Sequence, residues 1–124
     1  MGVTFAARGG KVRVVGHYHD GRKEQRMFAA IRRYHTDPDS ISEVTRKVNE
    51  GFVPLVSEMP GFVAYFAMDA GQGEYGTISV FEDQASAEES NRAAEEWAEE
   101  NLSELLPTPP EYAAGEVVSY RAKK

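Results

Sequence analysis

Asn91, Trp97, Tyr65 and His35 are the side chains whose types and positions could do chemistry in this chain. Asn91 falls within the series Ala87, Asn91, Ala94 and Ala98, whose helical spacing turns it toward an interior. A buried amide must find partners, because leaving one unsatisfied costs about 1–3 kcal/mol. It can bond backbone or water, or it can orient a ligand carbonyl or phenolate. Trp97, the only tryptophan, either fills a helix–sheet contact or stacks as a pocket wall on a flat ligand. Tyr65 presents a phenol from a strand-like run. His35 follows Tyr34 at a strand end, where it is either a partly exposed loop residue or a general base near neutral pH. Arg32 and Arg33 bring cations into the same neighbourhood. These groups offer donors, a titratable base and stacking surfaces; they do not spell a complete catalytic set.

Other chemistries are poorly supplied. Cysteine is absent, which excludes disulfides, thiolate metal sites and a cysteine nucleophile. His17-Tyr-His19-Asp20 has the look of a metal clip, but nothing nearby completes four ligands, so no metal is expected. Gly71-Gln-Gly-Glu-Tyr-Gly76 matches the dinucleotide-binding glycine pattern in letters only. That motif needs a following helix to meet the phosphates, and Thr77-Ile-Ser-Val-Phe alternates as a strand. No Gly-x-Ser-x-Gly elbow supports a hydrolase. A pI near 5.1 and a formal charge of −6 argue against nucleic acid as a partner. No apolar run is long enough to span a membrane and no signal peptide opens the chain, so the expected location is the cytoplasm.

The 124 residues, 41% hydrophobic and 27% charged, suit one globular domain. Residues 1–26 carry six basic and two acidic side chains, whereas the remainder carries eight basic and eighteen acidic ones. The break just before Met27 predicts a basic N-terminal tail over 1–26, adding at most one edge strand near Lys11–Gly16, and a domain over 27–124. Such a tail reads either as an upstream start in place of Met27 or as an arm for an anionic partner.

Strands are expected near 27–35, 61–69, 74–82 and 112–121, and helices near 39–57 and 85–102. Asp37-Pro38 and the box Ser40-Ile-Ser-Glu43 both mark a helix start. Gly51 and Pro54 predict a kink. The Ala70-Gly-Gln-Gly73 link makes the middle strands a hairpin. The order βαββαβ is the ferredoxin-like α+β plan with a four-stranded antiparallel sheet. Phe62, Ala64, Phe66 and Met68 alternate with Val63, Tyr65 and Ala67, so both sheet faces read as apolar. Two helices cover only one of them, which predicts a homodimer packed sheet on sheet.

Met59-Pro-Gly-Phe62, Thr77-Ile-Ser-Val-Phe-Glu-Asp83 and Ala85-Ser-Ala-Glu-Glu-Ser90 give the chain a further likeness. Over residues 27–121 it resembles the dimeric α+β barrel superfamily, in particular the antibiotic-biosynthesis-monooxygenase-like (ABM) branch. The resemblance implies a ferredoxin-like protomer, a homodimeric barrel, and a pocket between helices and sheet. Some members oxidise aromatic polyketides without metal or flavin, so no cofactor is implied, and others degrade haem. The haem branch uses a first-strand Asn and an axial His after a helix Trp. Here Trp97 has no following His and the first strand reads Arg32-Arg33-Tyr34, so that branch is set aside. Asn91, Trp97, Tyr65 and Arg32 or Arg33 supply the residue types that surround an ionisable phenol in the quinone-forming members. Two functions fit this reading: a cofactor-independent monooxygenase or binder of a small aromatic ligand, and a non-catalytic structural or binding homodimer.

Overall fold

Alternation sets the first strand. Phe28–His35 forms β1 and buries every second side chain, turning Phe28, Ala30, Arg32 and Tyr34 to one face. The computed structural model describes residues 26–123; most of the basic tail, with its expected strand and its two histidines, lies outside them. After β1, Asp37 Oδ1 accepts the Asp39 N–H at 2.9 Å and Pro38 opens a 3-10 turn over Pro38–Ser40. Helix α1 (Ile41–Lys47) continues from it. The Ser40–Glu43 capping box does not form, because Asp37 has already capped the segment and Ser40 is itself helical in backbone.

The expected kink is a widened turn. Val48–Phe52 is π-helical, with the Val53 N–H reaching back to the Val48 carbonyl, and α2 (Val53–Ser57) follows. Pro54 sits in the first turn of α2, where a missing N–H leaves little unsatisfied. The widened turn also seats Gly51 on the Trp97 ring. A Cβ there would lie 2.8 Å from the indole, so this approach requires glycine.

Strands β2 (Phe62–Gly71) and β3 (Glu74–Phe81) pair with Gly71 opposite Glu74. That register leaves Gln72-Gly73 as a two-residue loop, and both have positive φ, 55° and 86°, as a type I′ hairpin needs. The glycine-rich pattern is therefore a hairpin turn. Asp83 accepts the Ser86 N–H at 2.8 Å and caps α3 (Gln84–Asn101). Strand β4 (Glu111–Glu116) closes an antiparallel sheet of order β2-β3-β1-β4. β4 ends at Glu116 rather than at 121: it pairs there with Phe28, the first residue of β1, and beyond it the Val117 N–H donates to Met27 O at 2.9 Å.

The helices cover one face of this sheet. Val44, Val48, Phe52 and Val56 meet Ala87, Ala94, Ala98 and Leu102 above Phe28, Tyr34, Tyr75 and Phe81. Alternation in β2 departs from the simple pattern. A register shift between Phe62 and Ala64 absorbs Val63, so Phe62 joins Tyr65 on the helix side and packs edge-on against Phe81, ring centres 5.9 Å apart. Ala64, Phe66 and Met68 are left on the outer face, where Phe66 and Met68 are 58% and 59% exposed.

Candidate functional site

Arg32 lies at the centre of the helix side with no solvent exposure. The phase of β1 turns it inward, and three elements receive its guanidinium. From β3, Thr77 Oγ1 accepts from Nε at 2.9 Å and Ser79 Oγ from Nη2 at 2.6 Å. From α3, Asn91 Oδ1 and Ser90 Oγ accept from Nη1 at 3.0 and 3.5 Å. The Phe52 ring of the π-helical turn faces the guanidinium, 5.3 Å from its central carbon. All four acceptors are neutral, and no carboxylate among the described residues pairs with this cation. Burial pulls the Arg32 pKa down, opposed by the surrounding Tyr34, Tyr65 and Tyr112. An arginine starts so high that it keeps its proton near neutrality.

Tyrosines ring this charge. Burial raises the pKa values of Tyr34, Tyr65 and Tyr112, with Arg32 acting in the opposite direction on each. The hydroxyls of Tyr65, Tyr75 and Tyr112 are buried with no hydrogen-bond partner among the described residues. Tyr112 stands directly opposite Arg32 across the β1–β4 ladder. Tyr112 is also among the residues that line a cavity of about 350 Å3 between the C-terminal half of α3 and the segment leading into β4. Ala98, Leu106, Pro107, Pro109 and Pro110 give that cavity largely apolar walls, Ser103 and Thr108 add hydroxyl-bearing side chains, and the exposed Glu95 and Glu99 edge it. The Thr36 hydroxyl donates to the Leu105 carbonyl and ties this segment to the end of β1.

The residues singled out from sequence fall in two places. Asn91, Tyr65 and Trp97 gather around Arg32 and Phe52; the Phe52 ring is 6.0 Å from Tyr65 and 5.8 Å from Trp97. Asn91 spends both ends of its amide within the protein, accepting from Arg32 and donating to the Ala113 carbonyl at 3.0 Å. Trp97 is half-buried against Phe52 and Gly51. Neither Asn91 nor Trp97 lines the cavity beside Tyr112. His35 is apart from the group, exposed at the end of β1, where Nδ1 lies 3.1 Å from Glu74 Oε2. Thr77, Ser79, Ser90 and Tyr112 were not singled out from sequence. Strand phase carries the signal for the first two, since Tyr75, Thr77, Ser79 and Phe81 share the inward side of β3. No group of three or more His, Asp or Glu among the described residues is arranged to hold a metal ion.

An antiparallel sheet with helices on one face has counterparts among known proteins. The family model for antibiotic biosynthesis monooxygenases matches residues 27–100. The chain belongs to the ABM family. Similar solved structures agree on the fold. A protein of unknown function from Nitrosomonas europaea is 21% identical at a TM-score of 0.67, over 81% of this chain and 97% of that one. A monooxygenase of Streptomyces coelicolor, solved with nanaomycin D, is 21% identical at 0.61, over 81% and 93%. SnoaB, a cofactor-independent oxygenase of Streptomyces nogalater, is 14% identical at 0.52, over 80% and 95%. No curated protein matches the sequence. As an ABM domain the chain has the α+β ferredoxin-like architecture expected from its residues, and no described helix is long and apolar enough to cross a membrane.

Proposed function

We propose that this ABM domain binds a small, flat aromatic molecule in the cavity beside Tyr112 and promotes its oxygenation without metal or flavin. The observation that carries this is the cavity itself. At about 350 Å3, with walls that are largely apolar and the Tyr112 side of the sheet as one of them, it has the size and lining of a small-ligand site. Family membership and the named activities of the Streptomyces neighbours support the chemistry. In that chemistry an ionisable phenol gives up its proton and a ring carbon of the anion attacks dioxygen. One oxygen atom stays on the ring as a carbonyl and the other leaves as water. The protein's part is to orient the ring and to steady developing negative charge.

Anthrone is a suitable probe, since its conversion to anthraquinone and water uses one dioxygen per molecule. The expected result is oxygen uptake above the spontaneous rate, saturating with anthrone and lost in Leu106→Trp, which fills the cavity. Uptake equal to the blank, together with no saturable binding of flat aromatics, overturns the proposal. The outer sheet face supports a second, compatible reading, a homodimer. Phe66 and Met68 stand exposed there beside the half-buried Ile31, Ile78 and Val80.

A further inference from the structure

We infer that this cavity selects a ligand with a positively charged end, an ammonium seated at its mouth against Glu95 and Glu99 while the apolar body lies against Leu106 and the prolines. The inference rests on the cavity being the binding site and adds the charge of what enters it.

The neighbouring glutamates of α3 are already engaged. Arg92 holds Glu89 and Glu96 at 2.6 and 3.4 Å, and Gln84 donates to Glu88. Glu95 and Glu99, which line the cavity, have no ion pair or donor among the described residues. They stand one turn apart on the same helix face, where like charges repel. Glu99 also lies in the last turn of α3, which holds no basic residue, so the negative pole of the helix adds to its field. A cation at this mouth relieves both repulsions at once.

Arg32 opposes such a cation from inside the sheet. The sign of the field at the cavity wall can be read at Tyr112, which lines it. Burial is the main cause of the raised Tyr112 pKa; among the charged side chains, Glu95 raises it more than Arg32 lowers it, and Glu99 adds to the rise. The two carboxylates therefore outweigh the buried guanidinium at that wall.

The rest of the lining narrows the class of cation. A metal ion would find two carboxylates and no third ligating side chain among the described residues, and it would leave the apolar walls unused. An organic ammonium uses all of them. Its ring system packs on Ala98, Leu106 and the prolines, and the aromatic side chain of Tyr112 attracts the charge as well as the body. Holding the charge at the mouth leaves the ring for the apolar interior.

Calorimetric titration at about 20 mM salt, where exposed charges are little screened, tests this with three probes of one shape. 2-Naphthylmethylammonium should bind roughly fivefold to fiftyfold more tightly than the neutral 2-naphthylmethanol, the yield of two exposed ion pairs and one cation–aromatic contact. 2-Naphthoate should bind most weakly. Glu95→Gln/Glu99→Gln should keep its circular dichroism and bind the ammonium no better than the alcohol, whose own affinity stays unchanged. Glu88→Gln/Glu100→Gln removes as much charge from the same helix outside the cavity and should keep the preference. Its loss there to the same degree would make the effect a general attraction to an acidic protein and overturn the inference. Equal binding of ammonium and alcohol by the unaltered protein, or tighter binding of naphthoate, overturns it while leaving the cavity as a ligand site. Ammonium binding that survives Leu106→Trp puts the cation elsewhere and overturns it too. Binding of none of the three probes removes both the inference and the proposed site.

Discussion

A guanidinium held by four neutral acceptors, with tyrosines about it, makes the centre of this domain unusually sensitive to alkali. Tyr34, Tyr65, Tyr75 and Tyr112 all have pKa values raised by burial. A group whose folded pKa lies above its unfolded one contributes stability that is complete below the unfolded value and is lost as pH climbs toward the folded value. For tyrosine the loss begins near about pH 10. The expected outcome is a Tm that is flat from about pH 7 to 9 and falls above about pH 10, followed by thermal scans across that range, with a shallower fall in Tyr65→Phe. A Tm independent of pH up to about 11 would show that these phenols ionise as freely folded as unfolded. Arg32 was legible as an inward residue, since it shares the phase of Phe28, Ala30 and Tyr34. What could not be read is which residue of α3 would meet it. Ser90 is fully buried and Asn91 only half, a rotation of one residue that helical spacing alone does not resolve.

The elements that frame the site follow from local chemistry in most places and from tertiary fit in two. Caps, hairpin and strand order are written in Asp37-Pro38, Asp83 and Gln72-Gly73, where side-chain oxygens or positive φ leave little choice. The bulge at Val63 is different. It arises where the chain leaves the Met59-Pro60-Gly61 turn, and an apolar run such as Phe62–Met68 carries no mark of where one residue will be skipped. The π-helical turn likewise depends on the Trp97 ring arriving over Gly51. The hairpin offers a clean test of local necessity. A Cβ on Gly73 would come within 2.0 Å of the Thr36 carbonyl, and its φ is 86°; at Gly71, φ is 93° but nothing lies within 4 Å. Gly73→Ala should cost at least about 2 kcal/mol and about 10 °C in Tm, whereas Gly71→Ala should cost about half as much, from backbone strain alone. Equal losses in differential scanning calorimetry would mean that Thr36 yields easily. In that case its bond to Leu105, and with it the cavity wall, is less firmly held than the contacts indicate.

At the scale of the whole molecule the two sheet faces have unequal fates. The helix side is closed over Arg32, while the outer side carries Ala64, Phe66 and Met68 on β2 next to Ile78 and Val80 on β3 and Ile31 on β1. Apolar area left in water forgoes about 25 cal/mol per Å2, so a face of this kind gains by meeting another. The gain must also cover the loss of freedom on association. The proposed homodimer, in which two such faces pack across a twofold axis, makes Phe66 a central contact, because it is paired with Ile78 and is among the most exposed large side chains of the fold. Phe66→Glu places a charge there without touching the helix side, where Tyr65 packs on Phe52. Sedimentation velocity should show a dimer for the unaltered protein at micromolar concentration and a monomer for Phe66→Glu. Far-ultraviolet circular dichroism should be unchanged, with a Tm that no longer rises with protein concentration. The matching change on the other side of the strand, Tyr65→Glu, puts a carboxylate beside Arg32 and should leave the dimer intact if the two faces are independent. A monomeric unaltered protein, or a dimer that survives Phe66→Glu, removes the outer face as the interface.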